Sequence, residues 1–252
     1  MIQYFAQSHV GLVRTGNEDS YYAPGKGMGK DPQFFMCVAD GLGGHNAGEI
    51  ASQLAVRTLV TSMQTMEGKN AMLDHPFETM QQLFFQTNDK IHMLAGESEK
   101  LYGMGTTLTA AVCTQKYIYL AHVGDSRAYL QTKEGLVQIT TDHTFVQNLI
   151  QSGQLTEKAA LSHPYRHVIT RAVGIEQFLE VDFFEAHWTL GDTLLICSDG
   201  LTNMVTDEQI QSQLSRKASL EEQGHALLNL ALENGGQDNI TLCLARREAD
   251  HR

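Results

Sequence analysis

The 252-residue sequence predicts an α+β fold of layered helices and mostly antiparallel sheets. Predicted strands are grouped with strands along the chain, and predicted helices with helices. Some strands are separated by only a few residues, as around 115–116 and 124–127, and such short connections join antiparallel neighbours. No linker, composition shift or low-complexity tract divides the chain, so we expect one domain over residues 1–246 and a short tail at 247–252.

Eight segments combine alternating hydrophobicity with β-branched or aromatic residues, which is the pattern of β-strands. The predicted strands cover residues 4–9, 34–39, 107–114, 117–123, 128–131, 178–185, 193–197 and 240–245.

Long helices are predicted in pairs between these groups of strands. The first pair covers residues 48–64 and a segment that follows Pro76, where apolar residues recur at helical spacing. The second pair begins near Thr206 and Ser219, each of which is followed three residues later by Gln or Glu. This spacing is typical of a capping box at a helix N-terminus.

The segment from about 142 to 174 is too long for a simple turn between core strands. It contains one or two short predicted helices, near 145–151 and 156–161. A segment of this size is often an insertion that covers a site, and a surface loop without such a role is the alternative.

Bulk properties exclude several classes of partner. The net charge of −11 disfavours nucleic acid and anionic lipid, because binding to them requires clustered Lys and Arg. No apolar stretch approaches the ~18 residues that cross a bilayer, and the N-terminus lacks a secretory signal. The four cysteines lie in separate apolar segments without metal-ligand spacing, as expected for buried thiols in a reducing cytosol. We therefore expect a cytoplasmic protein without nucleic-acid or membrane partners.

Acidic residues occur where predicted strands meet glycine turns. Asp40 and Asp199 directly follow apolar strands, and Asp238 precedes one, while Glu18 and Asp19 lie close behind the N-terminal strand. Any single Asp-Gly pair is usually a turn, but turns alone do not require this placement. Converging carboxylates either have raised pKa values or hold a hard divalent cation, and we favour the cation.

Oxygen-only ligands suit Mg²⁺, Mn²⁺ or Ca²⁺, and the absence of His/Cys spacing argues against zinc. No twelve-residue loop carries acids at alternate positions, so an EF-hand is excluded. Two hard cations bridged by a carboxylate would generate hydroxide and bind a phosphoryl oxygen. The pattern therefore indicates hydrolysis of a phosphate ester.

Two further residues fit this chemistry. Arg14 precedes the acids at 18 and 19, and a guanidinium beside a metal pair can hold two phosphate oxygens; a surface salt bridge is its alternative. His45 is close to Asp40 in sequence and could protonate the leaving alkoxide as a general acid. Several other histidines are interpreted as ordinary polar side chains, namely His122, His143, His163, His167 and His187.

Eight motifs between Arg14 and Leu242 carry a family resemblance. They are RTGNEDS, VADGLGGHNAGE, GTTLTAA, VGDSRAYL, TTDHT, HVITRAVG, LLICSDGL and GGQDNITL. In this order and spacing they resemble the metal-dependent PP2C-type (PPM) protein serine/threonine phosphatases, and most closely the compact bacterial members. Leu42 and Thr144 depart from the frequent Met and Ser of that family, and neither change removes an oxygen ligand.

The resemblance implies a four-layer α-β-β-α sandwich, in which helix pairs flank two antiparallel sheets, and a flap at about 142–174. It also implies a metal site at one end of the sheets. Asp40 would bridge two ions, the Gly41 carbonyl would bind one of them, and Asp199 and Asp238 would bind the other.

Further roles follow from the same resemblance. Glu18 and Asp19 would act through metal-bound water, and Arg14 would bind the substrate phosphate. Many bacterial members hold a third ion, for which Asp125 and Asp199 are the matching positions. Asp125 also fits an ordinary hairpin turn between two strands.

The expected activity is hydrolysis of phosphoserine and phosphothreonine in proteins by a metal-activated water. Two Mn²⁺ or Mg²⁺ ions are the expected cofactors, and phosphoproteins, including a Ser/Thr kinase, are the expected partners of a monomer. Two alternatives remain open at this point. One is a phosphoprotein-binding module with little turnover, and the other is a phosphatase that acts on small phosphoesters.

Overall fold

A computed structural model describes residues 1–25, 34–44 and 47–249. The strands in these ranges are β1 (Ile2–His9), β2 (Asp19–Tyr22), β3 (Phe35–Leu42), β4 (Gly105–Thr106), β5 (Leu108–Cys113), β6 (Tyr117–Val123), β7 (Arg127–Thr132), β8 (Gly135–Gln138), β9 (Asp182–His187), β10 (Thr193–Cys197) and β11 (Ile240–Arg247). The helices are α1 (Ala47–Ser62), α2 (Met66–Asp74), α3 (Pro76–Glu97), α4 (Phe145–Gln151), α5 (Glu157–Ala160), α6 (Asp199–Thr202), α7 (Asp207–Leu214) and α8 (Leu220–Glu233).

The described strands form two antiparallel sheets. One sheet has the order β1-β11-β10-β7-β8, and the other has the order β2-β3-β5-β6-β9 with β4 paired to β3. Every pair of neighbouring strands that the structure describes is antiparallel. This arrangement confirms the predicted fold class.

The central strands bury both of their faces, because successive side chains point to opposite sides of a sheet. In β3, Cys37 packs toward the helices, while Met36 and Val38 pack between the two sheets. In β10, Leu195 packs toward the second group of helices, while Ile196 packs between the sheets. Three hydrophobic layers therefore lie between four layers of secondary structure, which confirms the α-β-β-α sandwich.

The inner layer contains Trp188, the single tryptophan of the sequence. Its side chain is fully buried, and its indole Nε1 donates a hydrogen bond to the Thr114 carbonyl oxygen at 3.0 Å. The indole is thus held among residues that both sheets contribute.

Helix boundaries agree with the predicted signals. Helix α3 begins at Pro76, and both capping boxes are present, at Thr206 for α7 and at Ser219 for α8. Helix α2 was not predicted, although the Thr65 hydroxyl caps it by accepting a hydrogen bond from Gly68 N at 3.0 Å.

Several strands differ from prediction. The short strands β2, β4 and β8 were not predicted, and β9 begins at Asp182 instead of residue 178. The chain before β9 is held by Asn88 of α3, whose Nδ2 donates to the carbonyl oxygens of Glu176 and Gln177. Near the C-terminus, β11 extends to Arg247, one residue into the predicted tail.

Candidate active site

The strand register brings several acidic segments to one end of the two sheets. Cys197 at the end of β10 pairs with both Leu242 of β11 and Arg127 of β7, so these three strand ends are neighbours. In the other sheet, Asp19 at the start of β2 lies opposite Asp40 of β3. Acidic residues at or just beyond these positions therefore converge.

These strand ends border a cavity of about 500 Å³. Its walls include most of the site residues predicted from sequence, namely Arg14, Glu18, Asp40, Gly41, Asp125, Asp199 and Asp238. Asp19 is buried behind this wall, and His45 lies outside the described residues.

Asp40 lies inside strand β3 instead of in a turn after it, because β3 continues to Leu42 and pairs there with β4. Its backbone groups are fully engaged. The Asp40 carbonyl oxygen accepts hydrogen bonds from Thr107 N at 2.8 Å and Thr106 Oγ1 at 2.9 Å, and its N–H donates to Thr107 Oγ1 at 3.0 Å. These bonds fix the backbone from which the carboxylate reaches the cavity.

Gly41 allows helix α1 to approach β3 closely. A Cβ atom at Gly41 would overlap the carbonyl group of Gly48, and one at Gly48 would lie 2.7 Å from the Gly41 carbonyl carbon. The Gly41 N–H also donates to the Glu18 carbonyl oxygen at 3.1 Å. The Gly41 peptide is thus enclosed by backbone on two sides, which fixes its position in the cavity wall.

Asp199 begins helix α6 instead of occupying a glycine turn. Ser198 is at the N-cap, but its hydroxyl donates to Asp19 Oδ2 at 2.7 Å and does not cap the helix. One turn later, Asn203 Nδ2 donates to Asp199 Oδ2 at 2.9 Å. The Asp199 carboxylate is therefore oriented by its own helix, and the Asp19 carboxylate by the residue before that helix.

Asp238 and Arg14 form an ion pair at the edge of the cavity, with Arg14 Nη2 2.8 Å from Asp238 Oδ2. Both side chains are partly exposed, by 52% for Arg14 and 38% for Asp238. The salt bridge that was the alternative for Arg14 is present, but its partner is a predicted metal ligand. The hydrogen bond to Asp238 raises the pKa of Arg14, so the guanidinium remains charged.

Asn239 holds the N-terminal segment against the cavity, a role that sequence did not reveal. Its Oδ1 accepts a hydrogen bond from Glu18 N at 2.7 Å. Its Nδ2 donates to the carbonyl oxygens of Val10 and Gly16, both at 2.9 Å. Because Arg14 and Glu18 lie within or beside the segment spanned by these bonds, one buried amide places them both.

Asp125 lies in the turn between β6 and β7, as the hairpin alternative predicted, yet its side chain is buried in the cavity wall. Next to this turn, Arg127 donates three hydrogen bonds of 2.7 to 3.0 Å to Asp142. His143 then bonds the turn itself, accepting from Gly124 N through Nδ1 at 3.0 Å. The turn and the start of the 142–174 segment are therefore joined.

Burial and mutual repulsion raise the pKa values of the acidic residues. Burial raises the pKa of Asp40 far above its usual range, and the charges of Asp19 and Asp199 raise it further. Burial, and to a smaller extent the charge of Asp199, also raises the pKa of Asp125 well above its usual range. Burial, and then the charge of Asp238, raises the pKa of Asp199. Burial and mutual repulsion thus make these carboxyl groups harder to ionise than free ones.

The carboxyl group of Asp19 is also buried, and its pKa is also raised. Its Oδ1 is buried and accepts no hydrogen bond from the described residues. Burial raises its pKa to about 7, although the hydroxyls of Thr241 and Ser198 lower it. Burial also raises the pKa of Glu18, against the opposing effect of Arg14.

The donor set fits hard divalent cations. Carboxylates and a carbonyl oxygen are the preferred ligands of Mg²⁺ and Mn²⁺, and a cation would relieve the repulsion among the buried acids. Within the described ranges, no three His, Cys, Asp or Glu side chains are already grouped closely enough to hold an ion. The carboxylates are instead distributed around the cavity wall.

Residues of the 142–174 segment complete the cavity. Arg166, His167 and Ile169 line it, so this segment contributes to the cavity wall. The charge of His167 lowers the pKa of Asp199, although less than burial raises it. Arg166 was not singled out from sequence, because it is separated from the acidic motifs along the chain. His167 was interpreted there as an ordinary polar side chain, and its position in the cavity wall corrects that interpretation.

Comparisons with known proteins agree with this geometry. A family model described as protein phosphatase 2C matches residues 15–241. The serine/threonine phosphatase stp of Listeria monocytogenes serotype 4b is 41% identical over 239 residues, which are 94% of this chain and 93% of that protein. The crystal structure of Mycobacterium tuberculosis PstP/Ppp matches with a TM-score of 0.87 and 38% identity, covering 98% of this chain and 99% of that chain.

A second similar structure contains metal. The catalytic domain of PstP, crystallised in complex with 2 manganese ions, matches with a TM-score of 0.84 and 36% identity, covering 98% of this chain and 99% of that chain.

The fold and the acidic cavity are those of a metal-dependent phosphatase. This chain belongs to the protein phosphatase 2C family. It is an enzyme that removes phosphate from serine and threonine of proteins, which confirms the expected activity and excludes a binding module as the main interpretation. In the described part of the chain, no helix is long and apolar enough to cross a membrane.

Proposed function

We propose that two Mn²⁺ or Mg²⁺ ions are bound by Asp40, the Gly41 carbonyl, Asp199 and Asp238, and that phosphoproteins are hydrolysed there. The observation that supports this proposal is the convergence of these carboxylates on one cavity, with raised pKa values for the buried ones. Such ions, when bound, lower the pKa of water and neutralise phosphate charge. The similar PstP structure contains two manganese ions.

The chain's own residues would orient the reaction. Arg14 would bind the substrate phosphate from the cavity edge, because its guanidinium can donate to two oxygens at once. Asn203 would keep the Asp199 carboxylate turned to the cavity through its 2.9 Å hydrogen bond. Glu18 and Asp19 would act through ordered water instead of by direct ligation.

A third ion is proposed between Asp125 and Asp199. The repulsion that these two carboxylates exert on each other supports a cation there. Titration calorimetry with Mn²⁺ tests the assignment, because Asp125→Asn should lower the number of bound ions by one and leave two. An unchanged stoichiometry would contradict it.

The proposed biological setting is that of a monomer that opposes a Ser/Thr kinase in the cytoplasm. We propose one domain over residues 1–246, with 142–174 as a flap beside the cavity. Four free, buried cysteines support a reducing compartment. Light scattering of the purified protein would test the monomer. Phosphosites that accumulate on deletion would identify the substrates and the kinase.

The central experiment is a metal-dependent assay on p-nitrophenyl phosphate and a phosphothreonine peptide. We expect turnover of both with Mn²⁺ or Mg²⁺, and loss of both with EDTA or with Asp199→Asn. Asp89→Asn, an exposed carboxylate on α3, is the matched control and should keep full activity. A metal-replete protein that cleaves neither ester would refute the proposal.

His45 remains a proposed general acid on the basis of its sequence position alone. His45→Ala should reduce hydrolysis of phosphothreonine more than hydrolysis of an activated aryl ester, because only the poor leaving group needs a proton. An equal loss on both substrates would remove this role.

A further inference from the structure

A second depression lies beside the catalytic cavity. It has a volume of about 400 Å³, and six of its nine lining residues are apolar, the others being Thr170, Arg171 and Glu176. We call it the side groove, and define it by Leu42, Ile169, Ala172, Ile175, Phe178 and Leu179. Phe178 is 86% exposed, which is unusual for a phenylalanine and leaves its ring available for contact.

The side groove and the catalytic cavity share a wall. Leu42 and Ile169 line both of them, so a ligand that leaves the cavity on this side enters the groove. The two differ in chemistry, because carboxylates and Arg14 dominate the cavity whereas apolar side chains dominate the groove.

The backbone connects the two sites rigidly. Leu42, two residues after Asp40, pairs with Gly105 in the β3–β4 ladder. The next residue, Thr106, forms a bridge with Val173, with N···O distances of 3.0 and 2.9 Å. The groove wall is therefore in a fixed register with the strand that carries Asp40.

Helix α3 fixes the outer wall. The buried side chain of Asn88 accepts a hydrogen bond from Gly174 N at 2.7 Å and donates to the Glu176 carbonyl oxygen at 2.9 Å. A Cβ atom at Gly105 would lie 2.8 Å from the side chain of Ile175, so Ile175 packs closely against the Gly105 backbone. The groove is thus formed before any ligand arrives, which reduces the entropy that binding must overcome.

We propose that the side groove binds an apolar side chain of the phosphoprotein substrate, at a fixed distance along the chain from the phosphorylated residue. This inference rests on the proposed function, since it takes the substrate phosphate to lie in the acidic cavity. A phosphopeptide bound there must continue along the protein surface, and the adjoining surface on this side is apolar and preformed. Sequence preference would then come from the groove, and hydrolysis from the cavity.

The test is a peptide scan combined with two enzyme variants. Phosphothreonine peptides in an Ala/Ser background would each carry one Leu, at positions from three before to three after the phosphorylated residue. The wild-type enzyme should show a kcat/KM at least about fivefold higher for Leu at one position than for Ala there. Phe178→Ala should abolish most of that preference and leave p-nitrophenyl phosphate turnover unchanged.

Phe85→Ala is the matched control, because Phe85 is an exposed phenylalanine on α3 that lines neither site. It should keep the full Leu preference. Equal kcat/KM across the scan, or a preference that survives Phe178→Ala, would overturn the proposal.

Turnover of p-nitrophenyl phosphate distinguishes a failure of the proposed function from a failure of the groove proposal. The aryl ester has no flanking residues, so absent turnover of that substrate reports on the catalytic cavity alone. In that case, anisotropy of fluorescein-labelled peptides still tests the groove, because Leu-containing peptides should bind the wild type more tightly than the Phe178→Ala variant. Equal binding would refute the groove.

Discussion

Arg14 depends on one hydrogen-bonded partner for its position. Its guanidinium donates a hydrogen bond to Asp238 at 2.8 Å. The segment that carries Arg14 is attached to the start of β11 through Asn239. The side chain is half exposed, so it contributes little to the free energy of unfolding. Its proposed role is to donate N–H hydrogen bonds to the substrate phosphate.

Arg14→Ala should lower kcat/KM for a phosphothreonine peptide by about tenfold to a hundredfold, which is the range for a lost hydrogen bond to a charged group. Arg14→Lys should recover only part of the loss, because an ammonium cannot donate in the fixed fork of a guanidinium. Steady-state kinetics at saturating Mn²⁺ would measure both, with thermal melting as the control for folding. Wild-type kcat/KM in Arg14→Ala would contradict the assigned role.

At the residue scale, sequence identified the acidic residues of the cavity wall and Arg14, but not Arg166. Asp40, Asp199 and Asp238 could be predicted because each lies at the border of an apolar run. Asn239 could not, because its role consists of backbone contacts with a segment more than two hundred residues away. Asn203 lies one helical turn after Asp199, and that spacing would have marked it had helix α6 been predicted.

At the scale of elements, the contact between α1 and β3 controls the cavity wall. Gly41 and Gly48 face each other without side chains, and the backbones approach so closely that neither position can accept a Cβ atom without movement. The helix therefore supports the strand directly beneath the Asp40 carboxylate.

A pair of glycine substitutions tests this contact. Gly48→Ala should destabilise the protein and weaken Mn²⁺ binding, because α1 must move away from the Gly41 carbonyl. Gly96→Ala, in helix α3, meets no atom within 4 Å and should be neutral or stabilising by up to about 1 kcal/mol. Urea unfolding and Mn²⁺ titration calorimetry would report the two effects. Equal behaviour of the two variants would show that close packing at Gly48 is unimportant.

The short strands missed from sequence share a physical reason. Strands β2, β4 and β8 have four residues or fewer, too few for a clear alternation, and they form because neighbouring strands offer hydrogen-bonding partners. Strand β9 was placed too early because Phe178 continues an apolar pattern, yet this ring is exposed and the backbone before the strand bonds to Asn88. Longer central strands were predictable because most of their residues are apolar or β-branched.

At the scale of the whole molecule, the acidic cavity opposes folding when no cation is present. A carboxyl group whose pKa is raised on folding favours the folded state while it is protonated, and this advantage disappears as pH rises through the folded pKa. For Asp19 the window extends from the usual 3.8 to about 7. Asp40, Asp125 and Asp199 are shifted in the same direction.

EDTA-treated protein should therefore be less stable at pH 8 than at pH 5, with Asp19 alone accounting for about 3 kcal/mol of the difference. Asp19→Asn should reduce this pH dependence without abolishing it, because an amide does not titrate but the raised pKa values of Asp40, Asp125 and Asp199 remain. Mn²⁺ should raise the melting temperature more at pH 8 than at pH 5, since the ligands must be ionised to bind it. Calorimetric scans with and without metal would measure each case, and a metal-free protein that is most stable at pH 8 would contradict this account.

Trp188 gives the molecule an intrinsic optical reporter. As the lone indole, enclosed between the sheets and bonded to Thr114, it should emit at short wavelength in the native protein and shift to the red only when the sandwich separates. It is not among the residues that line the catalytic cavity or the side groove, so substitutions there should leave the spectrum unchanged. A single emission scan can thus distinguish an inactive but intact variant from an unfolded one.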